Sequence, residues 1–418
     1  MHDPSEIESL YIDFDAFFAN VERQLHPEIR NHPVGVTALD SDYAAFITRC
    51  YLAKGRGIKR GMRVRDARAI CPDIIVRVAQ PDVYVDVHNR ILDEIDRHIP
   101  VTKVWSIDEM ECTLTGSERD RAREIAEAIR DGLAKNIGPF ITPSIGLAPN
   151  QFLAKVAAEM NKPCGLTVMP RSALPGPLLH LSLRDLPGIS GSMEKRLRRA
   201  GITSVADFWD ISAKHTRAIW GSIEGERMWA QLHGHLVIRP PTEKRMFGHS
   251  RVLTKGWNTP ERALKCLELL TVKAAYRLRR AGYLCGAMSV SFKLKSGEHL
   301  GGQTDFAYCR DDPALLAHMH GLFKRGTVGL PRGARLKSVN VMLHNITQPS
   351  QASGDLFEHA DAGAGKSAKW NTVMDTMDGL NLRHGRAVIH VGSRSELPGG
   401  YAGGKIAFGR VPDKEDFF

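Results

Sequence analysis

The segment ESLYIDF, residues 8–14, is a short apolar run with an acidic residue, Asp13, next to its last position. Its composition predicts a buried β-strand with Asp13 at its end, and Asp15 follows two residues later. An aspartate on a buried strand is costly unless it is paired with a cation or binds a metal. The fold must therefore bring positive charge to the end of this strand.

A second acidic pair, Asp108 and Glu109, lies between the apolar segments VTKVW and MECTL. These segments predict a β-hairpin with the acidic pair near its turn. A plain polar turn explains this segment by itself, and adjacent residues of a turn usually point in different directions. A shared function with Asp13 would require the hairpin to lie beside the first strand, with an irregular backbone at the pair.

The order of predicted elements in residues 1–170 is typical of a ferredoxin-like fold. Apolar residues spaced four apart predict a helix at 82–98, followed by the hairpin, a second helix and the strand TPSIGLA. With the first strand these elements give the split-βαβ order βαββαβ. Residues 33–75 predict a small α/β subdomain inserted into the first crossover. Asp15 is interpreted as the N-cap of the helix that begins in AFFANVERQL.

The rest of the chain divides at Pro-rich and polar segments. Beyond a Pro-rich stretch near residue 170, the sequence DLPGISGSMEKRLRRAGITSVADF predicts two short helices around Gly-bearing turns. The polar segment 233–250 is interpreted as a linker. A capped helix beginning at Pro260 and alternating strands at 288–294 and 339–343 predict a second α/β domain.

Positive charge is concentrated in this second domain. The whole chain has a net charge of +10. Residues 244–350 contain 18 Lys and Arg but only 6 Asp and Glu, so this segment alone carries more positive charge than the chain. A solvated surface explains such a segment about as well as a binding site does. Confinement to one domain favours binding to a phosphate backbone, with Lys293 and Lys295 on a polar strand face as candidate contacts.

Composition argues against several other classes of protein. No run approaches the roughly 20 consecutive apolar residues of a membrane-spanning helix, and the segment MHDPSEIESL has no signal-peptide core. The 7 cysteines are scattered without a CxxC pair, which argues against a zinc site or a disulfide framework. We therefore expect a cytoplasmic protein with no membrane association.

Three longer motifs give the acidic residues a common interpretation. The segments IDFDAFFANVE, WSIDEMECTLTG and LAPNQFLAKVAAEMNKPCG, in this order and spacing, resemble motifs of the Y-family translesion DNA polymerases. The resemblance runs from about Leu10 to Ile346 and implies an α+β, multidomain right-hand polymerase with a ferredoxin-like palm. The implied domains are the palm at 1–32 and 76–170, small fingers at 33–75, a helix-hairpin-helix thumb at 171–232, the linker at 233–250, a C-terminal βα little finger at 251–348 and a tail at 349–418.

The resemblance also implies a catalytic site. Asp13, Asp108 and Glu109 would be the catalytic carboxylates, and with the backbone carbonyl of Phe14 they would hold two Mg²⁺ ions. One ion would lower the pKa of the primer 3′-hydroxyl, and the other would hold the triphosphate and the departing pyrophosphate. The implied reaction is low-fidelity, template-directed synthesis on primer–template DNA with deoxynucleoside triphosphates, opposite damaged bases.

Other residues match nucleotide-binding positions of the family. Thr48, Tyr51 and Lys54 match the element that holds the triphosphate, and Lys155 matches a palm lysine that reaches its β- and γ-phosphates. A solvated helix position is the alternative for Lys155. Where the family often has arginine, Lys54 supplies a point charge without a bidentate fork, so the triphosphate would be held less rigidly.

Two adjacent aromatic residues, Phe17 and Phe18, follow the first strand. Packing within the helix is the simpler explanation and is partly retained for Phe17. Phe18 matches the family's steric gate, whose ring would occupy the space of a ribose 2′-hydroxyl. We therefore expect selection of deoxynucleotides over ribonucleotides.

The segment LPGISG resembles the helix-hairpin-helix turn of the family's thumb. Its backbone N–H groups at Gly188 and Gly191 would contact DNA phosphates without reading bases. Ser190 stands where glycine is usual, and a tight turn between packed helices is the alternative.

The tail contains a degenerate match to a sliding-clamp peptide at Asp355, Leu356 and Phe357. The expected protein is a monomer that contacts the clamp through this segment, with a meaningless apolar linker segment as the alternative. Two other functions stay open: a catalytically silent clamp-binding scaffold of a mutagenesis complex, and a nucleotide cyclase on a similar palm. The retained acidic residues argue against the scaffold, and the basic C-terminal domain argues against the cyclase.

Overall fold

The computed structural model describes residues 6–240, 243–254, 256–351, 363–384, 388–391 and 411. The described residues form two compact units, one comprising 6–240 with residue 411 and the other comprising those between 243 and 391. The predicted clamp peptide at Asp355, Leu356 and Phe357 lies outside the described residues. Within the described ranges, no helix has both the length and the apolar character required to cross a bilayer.

The N-terminal unit contains both strands and helices. Its strands are β1 (Ser9–Phe14), β2 (Val34–Thr37), β3 (Phe46–Arg49), β4 (Ile75–Val78), β5 (Lys103–Val104), β6 (Glu109–Thr113), β7 (Pro143–Ala148) and β8 (Leu166–Val168). Its helices are α1 (Phe17–Leu25), α2 (Tyr51–Gly55), α3 (Val64–Ile70), α4 (Pro81–Asp96), α5 (Ala122–Asn136), α6 (Gln151–Met160), α7 (Gly191–Arg199), α8 (Val205–Asp210), α9 (Ala213–Trp220) and α10 (Glu224–Leu232).

The central sheet of this unit has the strand order β5-β6-β1-β7-β8. Strand β1 is antiparallel to both neighbours, β6 and β7, and β8 runs parallel to β7 at one edge. Strands β5, β6, β1 and β7 therefore have the split-βαβ arrangement that the sequence predicted. Helix α6 packs closely on this sheet, because a Cβ atom at Gly146 would lie 2.0 Å from the carbonyl oxygen of Ala154.

A smaller sheet, in the order β3-β2-β4, is inserted between α1 and α4. It extends to Val78, beyond the predicted end of this subdomain at residue 75, because β4 pairs in parallel with β2. The helical segment from α7 to α10 shares a core with α6 that includes Phe152, Leu186 and Phe208.

The C-terminal unit is a sheet covered by helices. Its elements are β9 (Phe247–Val252), α11 (Pro260–Arg280), β10 (Leu284–Leu294), β11 (His299–Cys309), α12 (Asp312–Thr327), β12 (Leu336–Thr347) and α13 (Gly363–His384). The sheet order is β11-β10-β12-β9, and every pairing is antiparallel. Apolar residues of β10 and β12, including Phe292 and Val341, form a core with α11 and α12.

The start of this sheet corrects the predicted linker at 233–250. Strand β9 begins at Phe247 and pairs with β12, so the last four residues of that segment belong to the sheet. Phe247 is buried in the core of the unit, which explains the aromatic residue near the end of the polar segment.

Candidate functional site

Strands β1 and β6 bring the predicted carboxylates together at one end of the central sheet. In the antiparallel register Asp13 lies opposite Glu109. The backbone N–H of Phe14 donates to the carbonyl oxygen of Asp108 at 2.9 Å, which places the hairpin turn beside the end of β1. Asp13, Asp108 and Glu109, far apart in sequence, therefore occupy one site.

Two lysines supply positive charge to these acids. The Lys162 ammonium lies 2.6 Å from a carboxylate oxygen of Asp13 and 2.7 Å from one of Glu159. Lys155 forms an ion pair with Glu109. Its ammonium also donates to the Tyr11 hydroxyl at 3.3 Å. The positive charge that a buried acidic strand end requires thus comes from α6 and the residues just after it.

Glu159 and Lys162 were missed by the sequence interpretation, although both lie in a motif that was singled out. Lys155, Glu159 and Lys162 are separated by four and three residues, the spacing that places side chains on one helix face. This spacing is the signal that could have found Glu159, and Lys162 as well once the end of α6 at Met160 is known. Glu159 links Lys162 to the helix, and so fixes the ammonium beside Asp13.

Burial dominates the electrostatics of the two aspartates. It raises the pKa of Asp13 above its usual range even though the ammonium of Lys162 acts in the opposite direction. Burial also raises the pKa of Asp108, against a hydrogen bond of 2.5 Å donated by the Ser106 hydroxyl. Burial alone would lower the pKa of Lys162, but Asp13 and Glu159 raise it, so this ammonium stays charged. The positive charge of Lys162 therefore does not offset the effect of burial on the pKa of the two aspartates.

A cavity of about 490 Å³ opens beside the carboxylates. The predicted site residues that line it are Asp13, Phe14, Phe17, Phe18, Thr48, Tyr51, Lys54, Asp108 and Glu109. Lys162, Glu159, Arg49 and Arg60 line it as well. Lys155 is not part of this wall. The structure therefore brings the predicted nucleotide-binding residues except Lys155 to one space, which Lys162 also lines.

The basic side of the cavity comes from the small sheet and the helix after it. Thr48 lies on β3, and Tyr51 and Lys54 lie on α2. The Lys54 ammonium is 4.9 Å from the centroid of the Tyr51 ring. Burial raises the pKa of Tyr51 to about 12, so its hydroxyl remains a hydrogen-bond donor at neutral pH.

The apolar side of the cavity is built on the turn between β1 and α1. Ala16 has a left-handed backbone, with φ of 46°, which turns the chain so that Phe17 and Phe18 follow directly at the cavity wall. The Phe18 ring stacks on Tyr84 with centroids 4.7 Å apart. Tyr84 in turn donates its hydroxyl to buried Glu22 at 2.7 Å. Phe18 is therefore held in a fixed position.

The interpretation of Asp15 as a helix cap is wrong. Ala16 occupies the N-cap position of α1, and no side chain caps the helix. The Asp15 carboxylate accepts hydrogen bonds from the Ser144 hydroxyl at 2.9 Å and from the Cys164 backbone N–H at 2.7 Å. Asp15 thus ties β1 to β7 and to the loop before β8, behind the site.

The predicted DNA contacts lie outside the cavity. Gly188 has a φ of 90° in the turn before α7, and Gly191 is the first residue of that helix. Ser190 caps it, accepting a hydrogen bond from the Met193 N–H at 3.3 Å. In the other unit, Lys293 lies on β10 opposite Ser338. Lys295 follows the end of that strand and is exposed.

The acidic site was tested for its fit to Mg²⁺. In the part of the chain that the structure describes, no group of three His, Cys, Asp or Glu side chains is arranged to hold a metal ion. The available donors are the carboxylates of Asp13, Asp108 and Glu109 and the carbonyl of Phe14, the hard oxygen ligands that Mg²⁺ prefers. Because burial raises the pKa of both aspartates, added positive charge would stabilise their ionised forms. The donor atoms are of the type that fits the ion, while the arrangement of the three carboxylates is not that of a formed metal site.

Comparison with solved structures supports the topology described above. The chain superimposes on a Y-family DNA polymerase chimera, Dbh-Dpo4(243-245)-Dbh, with a TM-score of 0.69 and 23% identity, over 82% of this chain and 99% of that one. An insertion ternary complex of Dbh DNA polymerase gives a TM-score of 0.54 at 24% identity, over 82% and 99% of the two chains. The predicted α+β polymerase fold is confirmed.

Comparison of sequences gives the family. The model of the impB/mucB/samB family matches residues 12–159, and that of the impB/mucB/samB family C-terminal domain matches residues 244–356. DNA polymerase IV of Moorella thermoacetica is 28% identical over 396 residues, covering 92% of this chain and 96% of that protein. DNA polymerase IV 1 of Bacillus subtilis is 27% identical over 392 residues, covering 92% of both. The chain belongs to the impB/mucB/samB family of Y-family DNA polymerases, as its motifs predicted.

Proposed function

We propose that this chain is a template-directed DNA polymerase that performs translesion synthesis by nucleotidyl transfer with two Mg²⁺ ions. The observation that carries the proposal is the meeting of Asp13, Asp108 and Glu109 at the wall of one cavity. The relatives named DNA polymerase IV support the same activity. Primer–template DNA and deoxynucleoside triphosphates are the proposed substrates.

The three carboxylates and the carbonyl of Phe14 would hold the two ions. When bound, the ions lower the pKa of the primer 3′-hydroxyl and stabilise the charge of the departing pyrophosphate. Asp13 and Glu109 face each other across β1 and β6, so the strand pairing fixes the spacing of the ligands. Asp13, Phe14 and Glu109 sit on strands, and Asp108 is held beside them by its backbone hydrogen bond to Phe14, so these ligands are positioned before the substrate binds.

We assign the triphosphate contact to Lys162 in addition to Thr48, Tyr51 and Lys54. Lys162 lines the cavity, whereas Lys155 pairs with Glu109 outside it. A charged ammonium held beside Asp13 is positioned to pair with phosphate oxygens when a nucleotide enters. Lys155 would position Glu109 and not contact the triphosphate.

Sugar selection would depend on Phe18. The ring lines the cavity and is fixed by stacking on Tyr84, so it cannot move aside without breaking that contact. A ribose 2′-hydroxyl would have to occupy the same space. Deoxynucleotides are therefore the proposed substrates.

Contacts with DNA would come from both units. In the N-terminal unit, the N–H groups around Gly188 and Gly191 would contact phosphates. In the C-terminal unit, Lys293 and Lys295 belong to the strongly basic segment 244–350 and would contact the backbone without reading bases. The small sheet β3-β2-β4 would check base-pair geometry weakly, which is the basis for proposing low fidelity. Clamp binding through the tail, a monomeric state and a cytoplasmic location stay predictions.

Primer extension with Mg²⁺ and the four deoxynucleoside triphosphates tests the proposal. The wild type is expected to extend a primer across a template, and Asp108→Asn is expected to lose this activity while remaining folded. Asp131→Asn on α5, an exposed aspartate away from the site, is the control and should extend normally. A folded wild type that binds DNA or a clamp but adds no nucleotide would favour the scaffold function.

A further inference from the structure

The hairpin places Trp105 beside Glu109 on the neighbouring segment of the chain. The backbone N–H of Trp105 donates to the carbonyl oxygen of Glu109 at 2.9 Å, so Trp105 is its neighbour across the hairpin. The indole N–H donates to a carboxylate oxygen of Glu111 at 3.0 Å. Side chains two apart in a strand share a face, so the indole lies on the face that carries Glu109 and Glu111.

A lysine is stacked on this indole. Lys103 pairs with Glu111 in the register of β5 and β6, and its ammonium lies 3.6 Å from the centroid of the Trp105 ring. A cation over an indole is an attractive arrangement. Trp105 is nevertheless 37% exposed. A single exposed apolar residue is ordinary on a protein surface. This one differs in being held by a hydrogen bond and in carrying an exposed cation on its ring.

Neighbouring segments of the sheet place Ser144, Asp13, Glu109 and Trp105 side by side in one row. Of the two ends of this row, Trp105 is exposed and Ser144 is buried. On the other side of Asp13 the register places Ser144, which is fully buried and donates to Asp15. At the hairpin side the row ends in the exposed indole of Trp105. A strand that must reach the carboxylates can therefore approach over Trp105 but not over Ser144.

The nucleotide cavity lies on one side of this row. Its wall includes Ser106, Asp108 and Glu109 but not Trp105. In phosphoryl transfer the attacking and departing oxygens lie roughly in line, on opposite sides of the transferred group. If the triphosphate occupies the cavity, the 3′-hydroxyl has to arrive from outside it, which is the side of Trp105 and Lys103.

We propose that Trp105 and Lys103 form a binding site for the primer strand near its 3′ end. The indole packs against a deoxyribose, and the Lys103 ammonium pairs with a phosphodiester of the same strand. This inference rests on the proposed polymerase function, and it adds a primer contact on the palm that is separate from the carboxylates and from the nucleotide cavity.

Equilibrium binding to primer–template DNA at several salt concentrations is the first test. Lys103→Ala should reduce the slope of log affinity against log salt by about 0.9, the effect of one phosphate contact on duplex DNA. Trp105→Ala should weaken binding about five-fold at fixed salt, from the loss of apolar contact, and Trp105→Phe should recover most of it. Trp370→Ala is the matched control, since Trp370 is also 37% exposed and lies in α13 of the other unit.

Neutral methylphosphonate linkages then locate the contact. One such linkage is placed at each of the last four primer phosphates in turn, and at the matching template phosphates. At one primer position the linkage should weaken binding by the wild type but not by Lys103→Ala, because the partner is already absent. Penalties that simply add at every primer position, or a coupling found on the template strand, would overturn the inference.

The extension activity of the wild type is measured on the same preparation. Extension without any coupling at Lys103 would remove this inference and leave the polymerase function intact. Coupling at a primer phosphate without extension would support this inference and count against the polymerase function, since binding does not require catalysis. Thermal unfolding of each variant checks that a loss of affinity does not come from a loss of structure.

Discussion

Both units bury aspartates against a basic side chain, but the surroundings of the two clusters differ. In the C-terminal unit the Arg279 guanidinium lies 2.6 Å from Asp312 and 2.7 Å from Asp378 of α13, and Asp312 is 0% exposed. In the N-terminal unit Asp13, 5% exposed, pairs with Lys162 at 2.6 Å. Only the second cluster forms part of a cavity wall among the described cavities.

The comparison shows that access, and not burial, separates a structural cluster from a candidate site. Burial raises the pKa of Asp312 despite Arg279, as it raises the pKa of Asp13 despite Lys162. A shifted pKa is therefore shared by both clusters. The guanidinium of Arg279 also donates to the carbonyl of Arg310 at 3.0 Å, so its fixed partners surround it. Lys162 is a single ammonium facing open space, where another cation or a phosphate can compete for the same charges.

The largest expected effect comes from removing one aspartate from each cluster. Asp13→Asn should reduce the extension rate at least about 1,000-fold, because a ligand that acts in the transition state is lost. Its effect on stability should be smaller than that of the C-terminal variant, since the Lys162 side chain is 16% exposed and keeps Glu159 as a partner. Asp312→Asn should instead lower the free energy of unfolding by about 3 kcal/mol, by leaving Arg279 short of a buried partner.

Primer extension and urea unfolding on the two variants measure this contrast. The folded fraction of Asp312→Asn should extend primers at a rate close to that of the wild type. If Asp312→Asn abolished extension while folded, or if Asp13→Asn retained it, access would not be what separates the clusters.

A smaller effect is expected from two phenylalanines of equal burial. Phe18 and Phe323 are each 6% exposed, one at the cavity and the other in the core of the C-terminal unit. Replacing either by alanine should cost about 3 kcal/mol of stability. Only Phe18→Ala should change sugar selection, raising the use of ribonucleotides relative to deoxynucleotides about 100-fold.

Single-nucleotide incorporation with matched deoxy and ribo substrates measures the selection ratio. Phe323→Ala is the control for an effect of lower stability alone on the selection ratio. An unchanged selection ratio in a folded Phe18→Ala variant, or an equal change in both variants, would contradict the assignment of Phe18 as the steric gate.

Parts of the site could be predicted from one buried acidic strand and from three motifs in a fixed order. The apolar strand that ends in Asp13 indicates a buried acid, and the strand order βαββαβ places the hairpin in the same sheet. The hairpin alone is explained by a plain polar turn, and the three motifs are what joined Asp108 and Glu109 to Asp13. The register that sets Asp13 opposite Glu109 could not be predicted, since it depends on pairing between distant segments.

The errors have local causes. Asp15 has the residue type of a helix cap, but its burial beside β7 gives it other donors, and only the tertiary structure shows them. Lys162 lies just beyond the end of α6, so its alignment with Lys155 becomes informative only once that end is known. Strand β11 was not predicted, because it is an exposed edge strand with adjacent glycines, Gly301 and Gly302, and has no alternation of apolar residues.

The most direct measurement is the binding of Mn²⁺, as a paramagnetic substitute for Mg²⁺, followed by electron paramagnetic resonance. The chain is titrated with Mn²⁺ in the presence of a non-hydrolysable deoxynucleoside triphosphate, and the nucleotide alone gives the background. Because carboxylate ligands must be deprotonated, and burial raises the pKa of Asp13, affinity should increase with pH above the usual aspartate range near about 3.9.

We expect two bound Mn²⁺ ions per wild-type chain, weaker binding at lower pH, and loss of at least one ion in Asp13→Asn but not in Asp312→Asn. Equal Mn²⁺ binding by the wild type and Asp13→Asn would contradict the proposed site, because Asp13 would then not be a ligand of the ions.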